Sequence, residues 1–163
     1  MTVIGDGGVG KTSLIQKFTQ GTFETDYIKT IGAQVSNYSI DKEGKKIEVI
    51  FWDIAGQDDF LFLRPSFYRG SSASIIVYSL EENNLGNRSF NNIATWYADI
   101  KSFCGEIPII LFANKVDLID VNTLDKQQIQ ELVVENNFLN YQITSAKTGH
   151  GVINAFNSLI ETL

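Results

Sequence analysis

The sequence predicts an α/β fold: a six-stranded, mostly parallel sheet with one antiparallel edge hairpin and helices on both faces. Three observations predict it. β-branched or near-continuous apolar runs recur at residues 2–4, 33–40, 45–52, 74–80, 108–114 and 139–144. Stretches with apolar residues at helical spacing separate most of them. Polar turns mark the junctions, and strands alternating with helices build a parallel sheet through right-handed crossovers.

Each element has its own justification. Thr2-Val3-Ile4 is β-branched, as a buried strand would be. Gly5-Asp6-Gly7-Gly8-Val9-Gly10-Lys11-Thr12 follows, a complete G-x-x-x-x-G-K-[ST] pattern. Leu14, Ile15 and Phe18 then recur at helical spacing, and Gly21 ends that helix. After a polar loop over 22–30, the runs at 33–40 and 45–52 are joined by Asp41-Lys42-Glu43-Gly44. This four-residue connection ending in glycine reads as an antiparallel hairpin. The runs at 74–80 and 108–114 suit strands buried on both faces. Phe90, Ile93, Tyr97 and Ile100 mark a helix entered through Asn87 or Ser89. Ile129, Leu132 and Val133 mark another, entered through Thr123 or Asp125. A shorter strand at 139–144 precedes a last helix marked by Val152, Phe156, Leu159 and Leu163.

At 163 residues the chain is expected to form one domain, 1–163, with a sizeable core. Eleven Phe, six Tyr and two Trp make that core aromatic-rich. The net charge of −6, without a Lys/Arg run, argues against nucleic acid and against a polybasic membrane patch. The single Cys104 allows no internal disulfide and fits a reducing compartment as an inert thiol. No apolar run reaches transmembrane length, and no signal-peptide layout is present, so a cytoplasmic location is expected.

The glycine loop fixes the ligand class, a nucleoside triphosphate with Mg²⁺. Its glycines, Gly7, Gly8 and Gly10, with Val9 between them, let successive N–H groups line one concave face. Lys11 supplies a positive charge for the β- and γ-phosphates, and the Thr12 hydroxyl ligates Mg²⁺. The helix that follows turns its N-terminal dipole toward the phosphates. Asp53 closes an apolar strand in Asp53-Ile54-Ala55-Gly56. A carboxylate there is costly without a partner, and phosphate-bound Mg²⁺ would supply one through water. The Gly56 N–H lies where a γ-phosphate would be, and Gln57 is the candidate for orienting the attacking water.

Asn114-Lys115-Val116-Asp117 and Thr144-Ser145-Ala146-Lys147 close two successive strands. A carboxylate at Asp117 accepts from both donors on the guanine edge, and the Ala146 N–H donates to O6. Adenine would leave Asp117 unpaired, and unpaired polar groups give large discrimination. Asn114 is suited to tying the loops together, and the stems of Lys115 and Lys147 cover the base faces.

These motifs resemble those of the Ras superfamily of small GTPases, most closely its Rab branch, over essentially the whole chain. Gly5 to Thr12, Thr30-Ile31-Gly32, Trp52 to Gln57, Asn114 to Asp117 and Ser145-Ala146-Lys147 carry the superfamily resemblance. Phe67-Tyr68-Arg69-Gly70, Ile76-Val77-Tyr78 and Ser89-Phe90 followed by Trp96 carry the Rab one. The resemblance implies a GTP-binding switch that slowly hydrolyses GTP to GDP and phosphate in Rab-like regulation of membrane traffic. Catalysis would fall to Gln57, Lys11 and Thr30. Thr30 would meet Mg²⁺ and the γ-phosphate, Ser13 the α-phosphate and Ser145 the base loop. Phe23 would pack on the guanine edge, and Tyr27 would close over the phosphates. Residues 22–35 and 56–70 would be switches that bind an exchange factor, a GTPase-activating protein and effectors, with the chain itself a monomer.

The chain departs from the family pattern in several places. The effector trio reads Val35, Trp52 and Phe67. Ser79 replaces the usual acid after Val-Tyr, Asp58-Asp59 replaces an acidic-basic pair, and the connection at 81–87 is longer than typical. The sequence carries no C-terminal prenylation motif, so membrane association is expected only through a lipidated tail outside it, on the cytosolic face. Two other classes compete. A phosphate-loop kinase or ATPase leaves Asp117 and Ala146 unexplained. A nucleotide-binding scaffold with little turnover sits poorly with Gln57, Thr30 and a side-chain-free Gly7. His150, between two glycines, reads as a solvent turn residue. Arg64, Arg69 and Arg88 are available as an internal arginine finger, but none lies in the first switch.

Overall fold

A computed structural model describes residues 1–24, 30–42, 44–55 and 64–163. Strands β1 (Thr2–Ile4), β2 (Ala33–Lys42), β3 (Lys45–Ile54), β4 (Ser74–Ser79), β5 (Ile109–Asn114) and β6 (Tyr141–Thr144) form one sheet in the order β2-β3-β1-β4-β5-β6. The β2–β3 pair is antiparallel and the other pairs are parallel. The described helices are α1 (Lys11–Gln20), α2 (Arg64–Tyr68), α3 (Asn84–Asn91), α4 (Ile93–Cys104), α5 (Lys126–Glu135) and α6 (Val152–Ile160). The predicted fold class is the observed one.

Period-2 alternation divides the buried residues into two cores. Val3, Ile75, Val77, Ile110 and Phe112 face one way, against Leu14, Phe18, Val152 and Phe156 of α1 and α6. Ile4, Ile76, Tyr78, Ile109 and Leu111 face the other, against Ile93, Trp96, Ile100, Ile129 and Val133 of α4 and α5. Sheets covered on both faces read as continuous apolar runs for this reason. The first core centres on Phe156. Its ring stacks on Phe18 at 4.5 Å and meets Phe51 and Phe112 edge-on at 5.3 and 5.2 Å.

Three boundaries differ from expectation. The hairpin turn is shorter, because pairing continues through Asp41↔Lys46 to Lys42↔Lys45 and leaves two residues between the strands. The helix expected from Asn87 or Ser89 is two helices, and the first starts earlier. Asn83 caps it by accepting from the N–H groups of Leu85 and Gly86, at 2.9 and 3.1 Å. Of the two expected entries to α5, Asp125 is the cap, accepting from the Gln128 N–H at 2.9 Å. Leu163 lies beyond α6 and is exposed. His150 is exposed in a turn, as expected. Cys104 ends α4 half-buried, and its Sγ donates to the Tyr68 carbonyl at 2.9 Å.

Candidate functional site: a nucleotide cradle at the strand carboxyl ends

In parallel sheets ligands gather at the carboxyl ends of the strands. The loop after β1, Asp53 near the end of β3, Asn114 at the end of β5 and Ser145 after β6 all lie at that edge. Close packing dictates two of the loop's glycines. A Cβ on Gly5 would stand 2.1 Å from the Val77 carbonyl oxygen, and one on Gly10 2.4 Å from Asn114 Nδ2. Gly10 is also the N-cap of α1, at φ 99 with no side-chain cap, so the first turn of α1 presents N–H groups that no cap side chain occupies. Gly8, at φ 83, and the fully buried Val9 continue the loop.

Lys11 is buried, and its Nζ donates back to the carbonyls of Gly5 and Asp6 at 2.8 Å each. Burial presses its pKa down to about 8, against the opposing pull of Asp53 and Asp6. Among the described residues, the loop therefore holds a cation that lacks an anionic partner in direct contact. The Thr12 hydroxyl donates to Asp53 Oδ2 and lies 3.0 Å from the Thr30 hydroxyl, so three oxygen-bearing side chains converge. Asp53 Oδ1 is buried with no hydrogen-bond partner among the described residues. Burial raises the Asp53 pKa, although the Thr12 bond and the Lys11 charge work against it. An orphaned carboxylate oxygen beside two hydroxyls suits a hard divalent cation, so the residues fit Mg²⁺.

Asn114 joins both ends of the cradle. Its Nδ2 donates to the Val9 carbonyl at 2.9 Å, while Oδ1 accepts from the Thr144 hydroxyl at 3.2 Å and the Ala146 N–H at 3.3 Å. The tie expected between the base loops thus extends to the phosphate loop. The Ala146 N–H expected to face a base oxygen is turned onto Asn114 in the structure. Ser145 Oγ donates to Asp117 Oδ1 at 2.5 Å, which leaves the exposed Asp117 carboxylate further lone pairs for a ligand. Lys115 adopts a left-handed φ of 71 and reaches Glu81, while Lys147 is exposed. Gly7 and Ser13 lie partly exposed in the loop and the first turn of α1, and Phe23 is exposed. Tyr27, Gly56 and Gln57 lie outside the described residues.

Sequence reasoning missed the anchor of the phosphate loop. The Asp6 carboxylate is buried and accepts from Trp96 Nε1 at 2.8 Å, from Asn92 Nδ2 at 2.9 and 3.2 Å, and from Arg88 Nε at 3.1 Å. Those donors recur every four residues, the signal that could have found them. The contact commits Arg88. Arg64 is buried over the Trp96 ring at 4.0 Å and faces Asp99 at 3.4 Å, while Arg69 is exposed beyond α2. Two of the three candidate arginines are therefore engaged, Arg88 by Asp6 and Arg64 by Trp96 and Asp99 of α4.

The Ras family model matches residues 1–163 of this chain. The chain belongs to the Ras family. The Ras-related protein Rab-13 of Canis lupus familiaris is 37% identical over 160 residues, 98% of this chain and 76% of that protein. Rab-10 of Caenorhabditis elegans is 33% identical over 164 residues, 100% of this chain and 79% of that protein. The GTP-binding protein ypt3 of Schizosaccharomyces pombe is 32% identical over 159 residues, 97% of this chain and 72% of that protein. As a Ras-family member with Rab relatives, the chain is a GTP-binding switch and a GTP hydrolase. No described helix is long and apolar enough to cross a membrane.

Proposed function

We propose that residues 1–163 act as one GTPase domain in Rab-like control of membrane traffic, with guanine nucleotide spanning the cradle from Lys11 to Asp117. The loop N–H groups and Lys11 hold the phosphates, and Ser13 adds a contact at the α-phosphate. Asp117 reads N1–H and N2–H₂, and Ala146 trades its long bond to Asn114 for the base oxygen. Phe23, Lys115 and Lys147 cover the base, and Tyr27 closes over the phosphates. Thr12, Thr30 and, through water, Asp53 hold Mg²⁺, which when bound neutralises charge between the β- and γ-phosphates. Gln57 orients the attacking water, and the Gly56 N–H binds the γ-phosphate. Losing that phosphate removes the contacts of Thr30 and Gly56, so switches at 22–35 and 56–70 present different surfaces to an exchange factor, an activating protein and effectors. Part of the described surface is an apolar patch. Val35 pairs with Trp52 across the hairpin, the Trp52 and Phe67 rings lie 5.4 Å apart, and Ile31 is 78% exposed.

One observation carries the guanine reading: an exposed carboxylate, Asp117, held by Ser145 beside Asn114 and Ala146. Asp117→Asn replaces an acceptor with a donor facing the guanine N–H groups. GTP affinity should fall by about 2–4 kcal/mol while xanthosine triphosphate gains, since its extra carbonyl accepts from the new amide. Competition titration of both nucleotides checks this, and an unchanged GTP preference rejects the base pocket.

A further inference from the structure

The extended connection between β4 and α3 folds back onto two loops of the cradle. Glu81 Oε2 meets Lys115 Nζ at 2.5 Å, with side chains only 20% and 24% exposed. The Ser79 hydroxyl donates to the same carboxylate oxygen at 2.8 Å, and Asn83 Nδ2 donates to Oε1 at 3.4 Å. Burial alone would raise the Glu81 pKa, but the bonds from Lys115 and Ser79 outweigh it and hold the carboxyl below its ordinary range. Gly86 permits the fold-back, since a Cβ there would stand 1.8 Å from the Glu81 carbonyl oxygen. On the same helix turn Leu85 Cδ2 would lie 3.5 Å from a Cβ on Gly8, so the connection also covers the phosphate loop. Ser79 stands where an acid is usual after Val-Tyr. Here the acid comes two residues later and points at the N-K-x-D lysine.

We propose that this connection is a clamp on bound guanine nucleotide, with Glu81 as a positioning residue that holds Lys115 over the base and slows nucleotide release. The proposal rests on the reading of Lys115 as part of the base pocket. A lysine on a four-carbon stem loses much rotamer freedom when it settles over a ligand. Pairing with Glu81 orders the stem before nucleotide arrives, and two of the three ammonium protons stay free for other acceptors. Partial burial keeps the pair from being fully screened at low salt.

Release of fluorescently labelled GDP from the Mg²⁺-loaded protein tests it, with Glu81→Gln keeping the shape and the Ser79 bond. Release should quicken about five- to tenfold at low salt, the scale of one charge-assisted hydrogen bond. Rising KCl should quicken release from the native protein toward the variant's rate while barely moving the variant. Leu85→Ala should quicken release independently by loosening the cover on Gly8. Equal release by native protein and Glu81→Gln overturns the clamp, as does faster release with an unaltered salt dependence. Asp117→Asn, measured alongside, separates the two readings. If its base preference switches while Glu81→Gln has no effect, the clamp alone fails. If the base preference does not switch, the pocket itself is wrong.

Discussion

Lys11 is a cation that the nucleotide-free fold does not favour. Its pKa stands near 8 against 10.5 in the unfolded chain, so between those values the unfolded state binds the extra proton. Stability of the nucleotide-free protein should therefore rise with pH from about 8 to about 10.5, and stay at its lower level below that window. Phosphates beside the ammonium favour its charged form and should flatten the rise. Urea unfolding of native protein and Lys11→Met across that range checks this, and parallel profiles would remove Lys11 as the cause. Asp53 shifts the other way, its carboxyl raised chiefly by burial. A raised acid destabilises the metal-free fold as pH climbs through its folded value, and Mg²⁺ competes with the same proton. Mg²⁺-dependent retention of GDP should strengthen as pH rises through that value. Asp53→Asn should make GDP release similar with and without EDTA. A variant that keeps the full EDTA effect would displace Asp53 from the metal site.

At the scale of elements, the phosphate loop is fixed from outside by α3 and α4. Trp96→Phe keeps an aromatic, though smaller, ring but removes one donor from the buried Asp6 carboxylate, which keeps Asn92 and Arg88. The cost should be about 1–3 kcal/mol in chemical denaturation, with GDP released faster because the loop has lost a strut. If stability falls while release stays constant, the anchor serves folding alone. Elements were legible wherever periodicity and motif agreed, as in the run from β1 through the phosphate loop to α1. The start of α3 was not, because Gly86 looks like a helix breaker. Its lack of a side chain instead answers a long-range contact with the Glu81 carbonyl. The hairpin turn was misjudged because Asp41 and Lys42 look like turn residues, yet an edge hairpin tolerates charge and pairs them. The Asp6 anchor and the Glu81–Lys115 pair join residues far apart in sequence, and no local pattern announces which donor meets which acceptor.

Across the whole molecule, two unequal cores clamp one sheet. The aromatic cluster around Phe156 joins α1, β3, β5 and α6. Phe156→Ala should cost about 3–5 kcal/mol, a large share of the roughly 5–15 kcal/mol that such domains possess. A loss below about 1 kcal/mol in urea would mean the cluster collapses around the gap. The same architecture bears on rate. With Arg64 held by Trp96 and Asp99, and Arg88 by Asp6, turnover of the isolated protein should be slow, on the order of 10⁻⁴ to 10⁻³ s⁻¹. An arginine supplied by a partner should raise it by about 10³–10⁵. Gln57→Leu should suppress hydrolysis while leaving GTP binding nearly intact. Single-turnover assays check both, and a rate near 1 s⁻¹ from the protein alone would turn attention to the exposed Arg69.

The half-buried thiol at the end of α4 has a practical consequence. Cys104 donates to the Tyr68 carbonyl, and burial raises its pKa, so little thiolate exists near neutral pH. Maleimide dyes should therefore pass it by and react with a cysteine engineered on the open surface. Two such handles, one on the apolar hairpin face and one on α5, would report distances by energy transfer in each nucleotide state without first stripping the native sulfur.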